Sequence, residues 1–403
     1  MISSARILIV SPGNPCRNPR PVKEADTLGR AGFDVTLLTP QDDVGLAGED
    51  KTLCMAAPFR HETVKPIRRS LQRYLTWLAR RMVPLGIESI GSLGASAALL
   101  QRVRIHNSDL TIVHNEIPHW IGVRLLHEGR RIAADLEDWH SEDLRPTDRR
   151  HRPLRLLRQI ERTLLSKAAY TSTTSDALAE GMHARYGGNR PQVITNSFPL
   201  QPTPFPRQSN DPPVFFWFSQ TIGPGRGLEL FLAAWILTRR PSRLVLLGET
   251  SRNYESLLLA PLPQNFRDRI AFHPLVPPVE LPSLIAAHDI GLALEERHII
   301  NRDLTITNKI LQYLNAGLAI VASDTAGQRE VFSKNPGIGL LIKTQDNAAL
   351  GRALDELISE PGRLLDCQRT ARHLAETHYH WEREGPRLVE IVKEALKKPR
   401  GNG

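Results

Sequence analysis

Short apolar runs alternate with helical patterns along this 403-residue chain, give way to a proline-rich stretch, and then alternate again. No other feature limits the fold so strongly, because continuous apolar strands separated by helices form parallel sheets covered on both faces. The first series of strands reads "RILIV" (6–10), "DVTLL" (34–38), "LTIV" (110–113), "RIAAD" (131–135), "AYTSTT" (169–174) and "QVIT" (192–195). The second reads "VFFWF" (214–218), "RLVLLG" (243–248), "RIAFH" (269–273), "IGLAL" (290–294), "LAIVA" (318–322) and "IGLLI" (338–342). Between them "PLQPTPFPRQSNDPP" (199–213) is polar and without periodicity, which marks a boundary. The predicted class is therefore α/β, with two doubly wound, Rossmann-like parallel sheets. The expected division is residues 1–200, a linker at 201–213, residues 214–375, and a helical segment 376–403 with the first domain as its packing partner. Two such domains in tandem usually hold a ligand between them at the carboxyl ends of their strands, so function is sought in the loops that follow strands.

Hydrophobic residues make up 41% of the chain and charged ones 24%, a balance that builds cores and excludes a disordered chain. The formal charge of +9 calls for an anionic partner: a phosphorylated small molecule, an acidic membrane surface or nucleic acid. Nucleic acid ranks last, because neither zinc-finger spacing nor the glycine-aromatic motif of an RNA-binding sheet is present. Cys16, Cys54 and Cys367 lie too far apart in sequence for a disulfide framework or a metal spacing. No apolar stretch approaches bilayer-spanning length, and "RILIV" is too short for a signal-peptide core, so a cytoplasmic location is expected.

Two loops of the second series have the chemistry of anion binding. "FSQTIGPGRGLELFLAAW" follows "VFFWF" and leads into a helix predicted to begin near Leu228; Gly223, Gly225 and Gly227 allow close backbone approach, and Arg226 adds a charge at the helix start. In "TNKILQYLNAGLAIVASD" (307–324), helical spacing of Ile310, Leu311 and Leu314 ends at Gly317, and "LAIVAS" reads as a buried strand. Asn308 and Lys309 stand at that helix start, where the macrodipole favours negative charge, so the anion they suit is a ligand. The bland alternative for both loops is a solvated cation beside a turn, with Thr307 or Thr305 as the second helix's N-cap.

"GRGLELFLAAW", "DIGLAL", "NKILQYLNAGLAIVASD" and "AGQRE" together resemble the nucleotide-sugar domain of GT-B glycosyltransferases, especially family 4. "NPRPVKEADTLGRAGFDVTLL" and "VITNSFP" resemble the acceptor domain of the same group. The resemblance implies transfer of a sugar from a nucleotide-diphosphate donor to a hydroxyl acceptor, with retention of configuration. It places Arg226 and Lys309 on the diphosphate, Asn308 beside the sugar or its phosphate, Gln220 and Thr221 at the head of the same loop, and the backbone of Leu275 and Val276 near the nucleobase. Many relatives carry glutamates where this chain has Gln312, the ribose position, and Leu304; Glu295, Glu296 and Asp303 are nearby acidic substitutes, and a glutamine still hydrogen-bonds a hydroxyl. On the acceptor side, Glu137 and Asp138 of "DLEDWHSED" stand where relatives carry a histidine, as candidates for taking the acceptor proton. His114 in "IVHNE" is a second candidate, and Gly13 and Asn14, after the first strand, are candidates to approach sugar or acceptor. A charged capping loop, a structural histidine and a plain turn are the alternatives. Two rival functions use the same scaffold: nucleotide-sugar epimerisation, and non-catalytic binding or assembly.

No Asp-x-Asp and no His-x-x-x-His spacing occurs, so no metal or other cofactor is expected. Finally, "RHETVKPIRRSLQRYLTWLARRM" (60–82) reads as one basic amphipathic helix, with Ile67, Leu71, Tyr74, Leu75, Leu78 and Met82 on one side. "RRHRPLRLLRQIERTLLSK" adds a second basic surface. Both apolar stripes are expected to pack on their own domain, with the excess arginine available to an anionic membrane surface.

Overall fold

The apolar runs become strands in a computed structural model that describes residues 4–65, 69–201 and 210–398. The chain divides into two units, one formed by Met1–Ile194 with Glu384–Gly403, the other by Thr195–Arg383. The first unit holds β1 (Arg6–Val10), β2 (Asp34–Pro40), β3 (Arg60–Val64), β4 (Leu110–His114), β5 (Ile132–Asp135), β6 (Tyr170–Thr173) and β7 (Gln192–Val193). They pair in parallel in the order β3-β2-β1-β4-β5-β6-β7. The second unit holds β8 (Val214–Thr221), β9 (Arg243–Glu249), β10 (Ile270–His273), β11 (Ile290–Ala293), β12 (Ala319–Ser323) and β13 (Gly339–Ile342), in the order β10-β9-β8-β11-β12-β13. Both sheets reverse winding direction beside their first strand, at β1/β4 and at β8/β11. Such a switch point opens a crevice at the carboxyl ends of the strands.

The sequence "VFFWF" shows why these strands read as unbroken apolar runs. Phe215 and Trp217 face a core with Phe231 and Trp235, while Phe216 faces the opposite core with Ile310 and Tyr313. At β11 the fit is tight enough to require glycine: a Cβ on Gly291 would stand 2.3 Å from the Tyr313 ring, whose hydroxyl donates toward the carbonyls of Phe216 and Leu292. Gly291→Ala should therefore cost about 1–3 kcal/mol of stability in a denaturant titration, and an unchanged midpoint would mean that the ring moves freely.

Three boundaries differ from expectation. The units divide at Ile194/Thr195, and the returning segment begins at Glu384, within the helix Trp381–Lys397; Lys398 meets the first unit at Arg131 and at the carbonyl of Ala169. Of the expected linker, residues 202–209 lie outside the described residues. The stretch 60–82 is not a single helix: Arg60–Val64 is the edge strand β3, and the helix runs Arg69–Met82. Thr63 and Val64, β-branched and beside β2, favour the strand. Ile67 of the expected stripe lies outside the described residues.

The two basic helices then behave oppositely. Leu154–Lys167 buries Leu157, Ile160, Leu164 and Leu165, and arginines on and before it meet acids: Arg149 and Arg158 on Glu142, Arg155 on Glu88. Arg69–Met82 leaves its apolar stripe in solvent. Among the described residues no helix is long and apolar enough to cross a membrane.

Candidate active site

In the second unit the loop after β8 and the start of helix Asn308–Ala316 both meet the residues that follow β11, at the β8/β11 switch point. Gln220 and Thr221 are exposed, and they extend β8 beyond a bulge rather than belonging to the loop. The helix Leu228–Trp235 follows, with Gly227 at its N-cap at φ 74°. The loop glycines meet the chain itself. A Cβ on Gly225, whose φ is 77°, would stand 3.1 Å from the Glu296 carboxylate, and one on Gly227 3.1 Å from Leu294. Their close approach is thus first to the end of β11, and Arg302 holds the Gly225 carbonyl at 2.9 Å. A Cβ on Gly223 would meet only the Thr221 methyl, at an ordinary 3.9 Å. Arg226 is half-buried and, among the described residues, has no ion-pair partner.

Helix Asn308–Ala316 is capped by Thr307, whose Oγ accepts from the Ile310 N–H, and closed by Gly317 at φ 66°. Asn308 is exposed and its Oδ1 accepts from Asn196 at 3.0 Å. Lys309 is buried: its Nζ lies 3.2 Å from Glu295 Oε1 and 5.5 Å from the centroid of Trp217. Glu295 is itself fixed by its N–H donating to Ser323 Oγ, yet its Oε2 is buried without a partner. The sequence had offered Glu295 only as an acidic substitute; its place at the end of β11 makes it the first partner of Lys309. Gln312 is half-buried on the same helix, Leu275 is exposed, and Val276 packs beside the Phe216 core. The glycine loop and the start of this helix are thereby joined through the adjacent residues Glu295 and Glu296.

The first unit's switch point is a buried charge cluster that the sequence did not reveal. Arg20, on helix Pro19–Arg30, donates from Nε to Asp135 Oδ2 at 2.6 Å and from Nη1 to the Ile194 carbonyl at 2.9 Å, and lies 3.5 Å from Glu24. His114 Nε2 is 3.1 Å from Glu24 Oε2, and its Nδ1 is 3.8 Å from Asp135. All four side chains are essentially inaccessible. The usable signal was Arg20 and Glu24 at i,i+4 on a helix face, together with an aspartate ending an apolar strand. Burial, with the Glu24 charge adding to it, pushes Asp135 up to about 8; against the cost of its own burial, Glu24 is drawn down to about 2 by His114 and Arg20. His114 is raised, Glu24 overcoming the cost of burial. The catalytic role expected of His114 does not fit: its ring is sealed into this cluster. Glu24, His114 and Asp135 have ligand atoms close enough together for a metal ion, but Arg20 already supplies the positive charge at Asp135.

Asn14 is likewise engaged. Its Nδ2 donates to Asp50 Oδ2 at 2.6 Å and to the Asp43 carbonyl, and its Oδ1 accepts from the Asp43 N–H, so it organises its own loop. Gly13, at φ 74°, has only Asp42 near its Cβ direction. Glu137 and Asp138, half-buried beyond β5, remain the acceptor-side candidates. Burial, and then Asp138, raise Glu137 despite Arg20, while burial beside Arg20 lowers Lys23 to about 7. An acid and an amine both displaced toward neutrality make this a candidate place for proton transfer. Two further features were missed. Asn115, at the end of β4, holds φ 65° and ψ 175°, the one positive-φ non-glycine among the described residues; such strain collects at functional turns. His140 keeps Nε2 without a partner beside His119, whose own Nε2 meets the Asp135 carbonyl at 2.8 Å; burial lowers both imidazoles.

Comparison with known proteins bears on the family and the fold. Residues 212–360 match the family described as glycosyl transferases group 1, and residues 23–197 match the glycosyl transferase 4-like domain. No curated protein matches the chain by sequence. Among solved structures, a sucrose-phosphate synthase from Thermosynechococcus elongatus is similar at TM-score 0.70 and 14% identity, covering 97% of this chain and 98% of that one. A glycosyltransferase from Rickettsia africae gives 0.68 and 14%, over 98% and 100%. Anabaena HepE in complex with UDP gives 0.67 and 16%, over 96% and 99%. The two-sheet α/β fold is that of the GT-B enzymes.

Proposed function

We propose the following reaction for this chain, which belongs to the group 1 glycosyl transferases: a sugar passes from a nucleotide-diphosphate donor to a hydroxyl acceptor, with retention of configuration and without a metal ion. The observation that carries the donor side is Arg226, without an ion-pair partner among the described residues, at the start of helix Leu228–Trp235 on the β8/β11 switch point. A helix start and a guanidinium are a ready anion site. Lys309 is neutralised in part by Glu295 but retains further N–H donors for phosphate oxygens, and Asn308 and Gln312 lie on the same helix. HepE binds UDP and UDP-glucose, which makes a uridine donor the first to test.

As the glycosidic bond to the donor breaks, charge grows on the departing diphosphate. Arg226, Lys309 and the two helix starts stabilise it there. In the first unit, Glu137, whose raised pKa makes its ionised carboxylate a stronger base, is the group assigned to take the acceptor proton, and Asp138 is its neighbour. The acceptor is a hydroxyl of a polysaccharide precursor, a lipid-linked sugar or a small metabolite. The enzyme works in the cytoplasm, with an anionic membrane surface as partner and no nucleic acid.

Arg226→Ala should weaken UDP binding by about 1.5–3 kcal/mol in calorimetry, with the melting temperature unchanged because the side chain is only half-buried. Equal affinity in the variant would remove the diphosphate from this loop. Turnover should persist in EDTA; activity lost to the chelator and restored by magnesium would overturn the metal-free reading.

A further inference from the structure

The helix Arg69–Met82 packs the wrong way round for a helix of a globular domain. Gln72, Thr76 and Ala79, at helical spacing, are half-buried, and Arg80 Nε holds the Ser92 carbonyl at 2.9 Å. The apolar side faces solvent: Leu71, Tyr74, Leu75, Trp77 and Leu78 are 42–58% exposed. Just beyond the helix Leu85 and Ile87 are exposed as well, at 72% and 55%. Scattered exposed leucines are ordinary, but a contiguous stripe at i, i+3, i+4 and i+7 signals an absent partner.

The charge pattern names that partner. "RSLQRYLTWLARRM" contains four arginines and no acid. Among the described residues Arg73, Arg80 and Arg81 have no carboxylate partner, in contrast to Arg149, Arg155 and Arg158 on the neighbouring basic segment. The aromatic rings stand at the border between stripe and cations. Tyr74 stacks on Trp77 at 5.9 Å between centroids, and the Arg81 guanidinium lies 4.2 Å from the centroid of the Trp77 ring. Aliphatic residues at the centre, amphipathic rings at the margin and unpaired cations outside them match the layering of hydrocarbon, interface and anionic headgroup. A protein partner would have to answer several unpaired arginines with acids around a narrow stripe, whereas an anionic leaflet supplies both layers at once.

We infer that Arg69–Met82, with Leu85 and Ile87, is a docking surface for a bilayer carrying anionic lipid, lying in the plane of its interface. Leu71, Leu75 and Leu78 enter the acyl boundary, and the arginines meet the phosphates. This rests on the glycosyltransferase reading only in what docking would serve, access to an acceptor carried on the membrane; vesicle binding itself does not depend on it.

The test is flotation of the full chain with vesicles of phosphatidylcholine, alone or with phosphatidylglycerol added. The wild type should float with the mixed vesicles and not with the neutral ones, and salt should release it. Leu75→Glu with Leu78→Glu should cut the bound fraction about ten-fold or more. UDP binding and melting temperature should stay unchanged, since both leucines are exposed. No binding to mixed vesicles overturns the inference, as does equal binding by the double variant. So does sedimentation showing that the stripe is instead covered by a second copy of this chain. Loss of UDP binding by the wild type would strike the donor reading and leave the vesicle result standing.

Discussion

Arg20→Met should lower folding stability by about 3–5 kcal/mol in a denaturant titration, because it leaves the ionised Glu24 buried without its cation and the Asp135 carboxyl without its Nε–H donor. The guanidinium is fully enclosed and bonded to both Asp135 and the Ile194 carbonyl, so solvent cannot take its place. A loss below about 1 kcal/mol would show that the carboxyls are neutral without it. The same cluster shapes the pH profile. Asp135 keeps its proton in the folded chain up to about 8 instead of its ordinary 3.8. Its contribution is therefore complete below the ordinary value and is lost as pH rises toward 8. His114, also raised, acts in the same direction above its ordinary value of 6.5. Glu24, lowered to about 2, acts oppositely: its contribution is present above 4.5 and lost as pH falls. Lys23, Glu137, Tyr170 and His119 also titrate beside the cluster, and the lowered Lys23 and His119 oppose Asp135. Asp135 and His114 should thus tilt the stability profile downward as pH rises, and Asp135→Asn should lessen that tilt. Identical slopes in the two proteins would place the proton elsewhere.

Lys309→Ala should be comparably damaging, at about 3–5 kcal/mol, for a reason separate from ligand binding. It strips the cation from Glu295, a buried carboxylate that already has one oxygen without a partner. The double change Lys309→Met with Glu295→Gln removes both charges and should recover stability to within about 1–2 kcal/mol of the wild type. UDP binding should nevertheless stay weak in the double variant, because the donors proposed for the phosphates are gone. Wild-type affinity in that protein would assign Lys309 to folding alone. Arg226→Ala is the complementary case, where binding falls and stability does not.

The sequence by itself determined the architecture. Twelve runs were legible and all twelve are strands; the central ones, buried on both faces, must be apolar throughout and leave an unmistakable trace, while the edge strands β7 and β10 still carry apolar residues. β3 escaped because an edge strand with a polar, half-exposed pattern has no such trace, and the arginine-rich helix after it lent it a helical rhythm. Turn chemistry was legible too, from Thr307 at one helix start to Gly317 at its end. Only the tertiary structure decided how charges are paired. Lys309 finds Glu295, fourteen residues earlier, and Arg20 finds Asp135, 115 residues later; nothing in local spacing marks partners brought together by sheet topology. It likewise decided that Gly225 accommodates the chain's own Glu296, that Asn14 holds its own loop, and that one amphipathic helix buries its stripe while the other exposes it. Helical periodicity states which residues share a face, but which face meets the core depends on what the rest of the fold leaves to be covered.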